Sequence, residues 1–235
     1  MMGTIGILGG MGPLATVDIF NKIITLTEAN SDNEHIEIIV DNNTRIPDRT
    51  NHIINNGENP TNYLIKSAIR LEMMGADVII MPCNTAHYFY DEVVKYIDIP
   101  FLNMIVETAK ETEKLYSGKK VGLLATAGTY NSGIYDKVFS EYGLELIKPD
   151  SDKMKYIMDL IYGIKSGRSD IDITNFHTVL QDLKEQEVEA FILGCTELPI
   201  AFEMFDINEK YIDPTKILAR SSIKYVGRKI RNESI

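Results

Sequence analysis

The segment Gly75-Ala76-Asp77-Val78-Ile79-Ile80-Met81-Pro82-Cys83-Asn84-Thr85 returns in altered form as Glu187-Val188-Glu189-Ala190-Phe191-Ile192-Leu193-Gly194-Cys195-Thr196-Glu197. In each copy an apolar run of strand length stops at a cysteine, and polar residues able to start a helix follow. An apolar run without polar alternation reads as a strand buried on both faces, the habit of parallel sheets. The openings of the two halves repeat as well: Thr4-Ile5-Gly6-Ile7-Leu8-Gly9-Gly10 is echoed by Lys120-Val121-Gly122-Leu123-Leu124-Ala125-Thr126. Further strand-length runs at Ile36 to Val40 and Leu144 to Ile147 alternate with helical spacings such as Leu64, Ala68, Leu71 and Val179, Leu180, Leu183. This alternation predicts an α/β fold of two similar domains, each a parallel sheet flanked by helices, with the active site in the interdomain cleft.

Ligands of open parallel sheets bind beyond the carboxyl ends of the strands. Cys83 and Cys195 both end strands, so two related domains facing one another would bring both thiols to one cleft. A lone cysteine reads most simply as a small buried hydrophobe; two at equivalent places of a repeat argue for use. We place the first boundary near Ile99-Pro100, giving a first domain of 1–99 with about 208–235 and a second of 100–207. The final helix, roughly Pro214 to Ile230, is compatible with either half.

The 235 residues are 44% hydrophobic and 25% charged, which matches globular proteins and excludes a disordered chain. A net charge of −10 argues against nucleic acid as partner, and an anionic ligand would need a local basic pocket. The first apolar run, Ile5 to Leu8, has no basic leader, and no stretch approaches the roughly 20 apolar residues of a membrane helix. The expected location is cytoplasmic. The two cysteines form no CxxC pair, so thiols are expected rather than a disulfide.

Five segments together resemble the aspartate racemase branch of the Asp/Glu/hydantoin racemase superfamily. They are Gly6-Ile7-Leu8-Gly9-Gly10-Met11-Gly12-Pro13, Ile46-Pro47-Asp48-Arg49-Thr50, Pro82-Cys83-Asn84-Thr85-Ala86-His87, Gly163-Ile164-Lys165-Ser166-Gly167 and Gly194-Cys195-Thr196-Glu197-Leu198. The resemblance implies cofactor-independent racemisation of aspartate, without pyridoxal phosphate or metal, commonly by a homodimer. It assigns the catalytic pair to Cys83 and Cys195 and associates Arg49 and Lys165 with the substrate carboxylates. Asn84, Thr85 and Thr196 become candidate α-carboxylate donors, and Glu197 a partner of the ammonium group or of the second thiol. Met11 would line the pocket, and Thr126 stands at the mirrored first-strand end. Glutamate racemases typically carry Asp-Ser after the first strand and Cys-Thr-His at the second thiol. Gly10-Met11 and Cys195-Thr196-Glu197 stand here instead, which favours aspartate. Thr44-Arg45 departs from the Pro-Gln frequent in the family, and Arg45 is a candidate second cation.

The chemistry fits the residue types. Racemisation removes a proton from one face of a carbon and returns one to the other, which asks for two opposed groups. The ordinary cysteine pKa of about 8.5 falls near a helix N-terminus or a cation, so one thiolate and one thiol can coexist. Competing readings are a dinucleotide site using Asp41, although the opening glycines lack GxGxxG spacing, and a zinc site using Cys83, His87, Cys195 and His177. Nearer rivals are a broad-specificity or glutamate racemase, a maleate-isomerase-like enzyme, and a catalytically silent ligand-binding relative.

Overall fold

A computed structural model describes residues 3–231. The first half runs β1 (Ile5–Gly9), α1 (Pro13–Leu26), β2 (Ile38–Asn42), α2 (Arg49–Asn55), α3 (Thr61–Met73), β3 (Val78–Ile80) and α4 (Tyr90–Val93). After α5 (Met104–Tyr116) come β4 (Lys120–Ala125), α6 (Ala127–Ser132), α7 (Ile134–Glu141), β5 (Glu145–Ile147) and α8 (Met154–Lys165). The chain closes with α9 (Thr174–Glu185), β6 (Val188–Gly194), α10 (Glu197–Met204), β7 (Tyr211–Ile212) and α11 (Pro214–Tyr225).

Two parallel sheets result, with strand orders β2-β1-β3 and β5-β4-β6-β7. The six predicted strands are all present, displaced by a residue or two at their ends. Each sheet is covered on both faces because side chains alternate along a strand. From β1, Ile5 and Ile7 join α1 and α11, whereas Leu8 joins the cluster of α3 with Leu64, Ala68 and Leu71. From β4, Val121 and Leu123 meet Ile105, Tyr135 and Phe139, while Leu124 meets Ile157, Ile161 and Val179 of α8 and α9.

The long middle helix serves both halves. Met104 packs in the core of the first sheet and Ile105 and Ala109 in that of the second. Phe101 bridges to Ile79 in parallel, with Ile79 N–H donating to Pro100 O at 2.8 Å, so residues 100–102 extend the first sheet. At the other end, β7 pairs with β6 before α11 crosses back to pack Leu218, Ala219 and Ile223 on the first sheet. The final helix is shorter than the expected span to Ile230. Gly227 takes φ +76°, and Ile230 then bridges to Thr27. Residues 1, 2 and 232–235, included in the expected first domain, lie outside the described residues.

No helix among the described residues is long and apolar enough to cross a membrane.

Candidate active site

Cys83 follows β3 and Cys195 follows β6, the strands hydrogen-bonded to β1 and β4 respectively. Both thiols are free and nearly buried, 5% and 6% exposed, and both line one small cavity between the halves. From the first half come Met11, Arg49, Cys83, Asn84 and Thr85; from the second come Thr126, Lys165, Cys195, Thr196 and Glu197. All ten predicted site residues therefore meet. The space within it is about 20 Å³, close to what a single water needs. A roomier open groove of about 450 Å³ lies between α1 and α10, but it gathers Asp18, Lys22, Glu203 and Asp213 with neither thiol.

Local sequence explains each placement. Asp48 caps α2 by accepting from Asn51 N–H at 2.7 Å, which starts the helix at Arg49. The Arg49 guanidinium donates through Nη1 to Pro47 O at 3.1 Å and through Nη2 to Met11 O at 3.2 Å. Its Nε is buried with no hydrogen-bond partner. Lys165 stands in the last turn of α8, ended by Gly167 at φ +74°.

The carboxyl of Glu197 joins the second thiol to that lysine. Lys165 Nζ lies 2.6 Å from Oε1, Cys195 Sγ donates to Oε2 at 3.0 Å, and Thr196 Oγ1 donates to Oε2 at 3.3 Å. Burial would lower the Lys165 pKa, but the charges of Cys195 as thiolate and of Glu197 outweigh it and hold the ammonium raised. The expected lowering of the Cys195 pKa is not found. Burial pushes the thiol well above its ordinary value and the Glu197 charge adds to this, with Lys165 opposing. The helix start and the cation are present, yet burial outweighs them, and the carboxylate between thiol and cation offsets the cation further.

Neither Asn84 nor Thr196 caps its helix. Asn84 Oδ1 instead accepts from the Tyr135 hydroxyl at 2.6 Å. Thr85 Oγ1 lies 2.9 Å from both Thr126 Oγ1 and Thr129 Oγ1, which are 3.1 Å apart, so three buried hydroxyls tie the halves together beside the cavity. Thr126 also caps α6. A Cβ on Gly128 would lie 2.6 Å from Thr50 Oγ1 and 2.8 Å from Thr50 Cα, so α2 and α6 approach this closely only over glycine.

Arg45 is exposed and does not line the cavity. Asp41 pairs with Arg70 at 2.5 Å. His87 uses both ring nitrogens on backbone: Nε2 accepts from Met104 N–H at 3.1 Å, which leaves Nδ1–H to donate to Cys83 O at 2.9 Å. No group of three His, Cys, Asp or Glu side chains among the described residues is arranged to hold a metal ion.

Asp48, Thr50 and Tyr162 also line the cavity and were not singled out from sequence. Asp48 and Thr50 lie within a motif already quoted, and Tyr162 precedes Lys165 by three residues on one helix face. Tyr135 carried no local signal, because its partner lies in the other half.

The model of the Asp/Glu/hydantoin racemase family matches residues 8–221, and with them all thirteen cavity residues. The chain belongs to that family. It is an amino-acid racemase, an isomerase. It is 30% identical over 93% of its length, and 96% of the relative's, to a broad specificity amino-acid racemase of Bacillus subtilis. Among solved structures it is similar to Picrophilus torridus aspartate racemase, with TM-score 0.86 and 34% identity over 97% of this chain and 96% of that one. A glutamate racemase of Francisella tularensis shares the fold at TM-score 0.69, with 20% identity over 96% of this chain and 81% of that one.

Proposed function

We propose that this racemase interconverts L- and D-aspartate by a two-thiol mechanism that uses no cofactor. The observation that carries the reading is the convergence of both cysteines with Arg49 and Lys165 in one enclosed cleft at equivalent strand ends. A dicarboxylic amino acid offers each cation a carboxylate. The guanidinium fork suits bidentate binding, and the ammonium acts as a compact charge. The unpartnered Arg49 Nε supports such a role.

In one direction the Cys83 thiolate takes the α-proton and becomes a thiol, the electron pair of the broken C–H bond staying on the carbon. The Cys195 thiol then protonates the opposite face and becomes the thiolate. The reverse direction exchanges the roles. The raised Cys195 pKa supports its acting as the acid from the ligand-free state. Asn84, Thr85 and Thr196 supply donors for the α-carboxylate, on which charge builds as the carbanion forms. Glu197 adds to the effect of burial in keeping Cys195 protonated and places Lys165; Met11 and Thr126 shape the walls.

The reading extends to a cytoplasmic homodimer. Leu14, Val17, Phe20 and Val40 support the dimer by exposing apolar surface along α1 and the edge strand β2. We propose that the units, expected from sequence at 1–99 with about 208–235 and at 100–207, divide instead at Asn103 and rejoin at Asp213, because residues 100–102 pair with the first sheet and β7 with the second.

The test is chiral analysis of L-aspartate, L-glutamate and a panel of neutral amino acids after incubation with the protein and no added cofactor. The reading predicts D-aspartate as the fastest product. Neutral amino acids racemised as fast as aspartate would instead make it a broad-specificity enzyme, the reading favoured by the Bacillus relative.

A further inference from the structure

Asn84 enters the cleft with only half of its amide engaged. The residue is 2% exposed, Oδ1 accepts from Tyr135, and Nδ2 is buried with no hydrogen-bond partner. A buried amide N–H left unpaired is destabilising, a cost that a ligand acceptor would offset.

Two facts fix which end of the amide faces the hydroxyl. The separation is 2.6 Å, an ordinary length for O–H···O but short for N–H···O. Tyr135 also makes no other hydrogen bond among the described residues, so only this orientation satisfies its one proton. Burial holds the phenol pKa well above its ordinary value, and it remains a donor across the working range. The ring cannot swing away: Tyr135 is fully buried and packs against Phe139 with centroids 5.3 Å apart.

The geometry points to Tyr135 as a positioning residue that reaches across from the second half to orient the Asn84 amide, so that Nδ2 donates to the α-carboxylate of the amino-acid substrate. This rests on the cleft being the amino-acid site. The bond joins α7 of one half to the Asn84 turn of the other.

The experiment is a double-mutant cycle of Tyr135→Phe and Asn84→Ala, reading KM and kcat for both enantiomers of aspartate with Tm as a check on folding. Tyr135→Phe keeps the ring in its packing and removes only the donor. It is expected to raise KM about tenfold in both directions, the loss of one hydrogen bond to a charged group. In the Asn84→Ala background the same change is expected to alter KM less than about twofold, since the amide it acts through is gone. Asn84→Asp keeps the acceptor for Tyr135 and replaces the donor with oxygen, so it is expected to raise KM at least as much as Asn84→Ala. An unchanged KM in Tyr135→Phe, an equal change in both backgrounds, or wild-type KM in Asn84→Asp would overturn the assignment of Tyr135. A wild-type protein that turns over no amino acid would overturn the reading of the cleft, and this assignment with it.

Discussion

The Cys195 thiol donates to Glu197 Oε2 at 3.0 Å, within a residue pair that sits almost wholly out of solvent. Burial and this neighbour together keep the second thiol protonated. Ultraviolet absorbance of the thiolate in a Cys83→Ser protein reads Cys195 alone. It should show no thiolate at neutral pH. Adding Glu197→Gln removes the facing charge but keeps an acceptor, so the thiolate should appear at lower pH. An unmoved titration would mean that Glu197 does not set the state of Cys195.

Lys165 and Glu197 form a mostly buried ion pair at 2.6 Å, with side chains 25% and 2% exposed. Removing one member of such a pair strands the other. Lys165→Met should lose about 3 kcal/mol of stability by urea unfolding, and Lys165→Met/Glu197→Gln should recover much of it without recovering turnover. Equal stability of the single and double variants would contradict the pairing.

Gly128→Ala places a methyl against Thr50 and forces α2 away from α6. The catalytic efficiency, kcat/KM, should fall by about tenfold or more, since displacement of about an ångström costs far more in a reacting geometry than in a packing one. Tm should change little. Activity equal to wild type would show that closure at this point is dispensable.

The buried His87 imidazole has a pKa lowered to about 4, chiefly by burial and against the hydrogen bond to Cys83 O. Between the ordinary value of about 6.5 and about 4, the unfolded chain binds a proton that the folded chain refuses. Its contribution is fully present above that window and is lost as pH falls through it, amounting to about 3 kcal/mol. Denaturant unfolding at both ends of the window should show a smaller acid loss in His87→Gln than in wild type. Parallel pH dependences would contradict the sign or the residue.

Most of the fold was legible because both sheets are parallel and buried on both faces, which leaves continuous apolar runs in the sequence. The weaker elements were not. β7 has two residues, and Phe101 joins its sheet through an isolated bridge; both depend on a neighbouring strand rather than on local pattern. The site was legible through its repeat and its motifs, which brought ten residues to one cavity. What escaped was set by contacts across the halves. The Tyr135 bond to Asn84 spans 51 positions and the Thr85–Thr129 contact 44. The state of Cys195 escaped for a related reason, since cation and helix start were visible but the depth of the thiol's burial and the carboxylate's position between thiol and cation were not.

The central claim, two thiols acting from opposite faces, is tested most directly by racemisation of L-aspartate in deuterated water, with wild type, Cys83→Ser and Cys195→Ser compared early in the reaction. The account predicts D-aspartate carrying α-deuterium while the remaining L-aspartate is still α-protiated. It also predicts that each serine variant loses at least about a hundredfold in racemisation. D-aspartate that retains its original α-hydrogen, or near-wild-type racemisation by either folded variant, would contradict it.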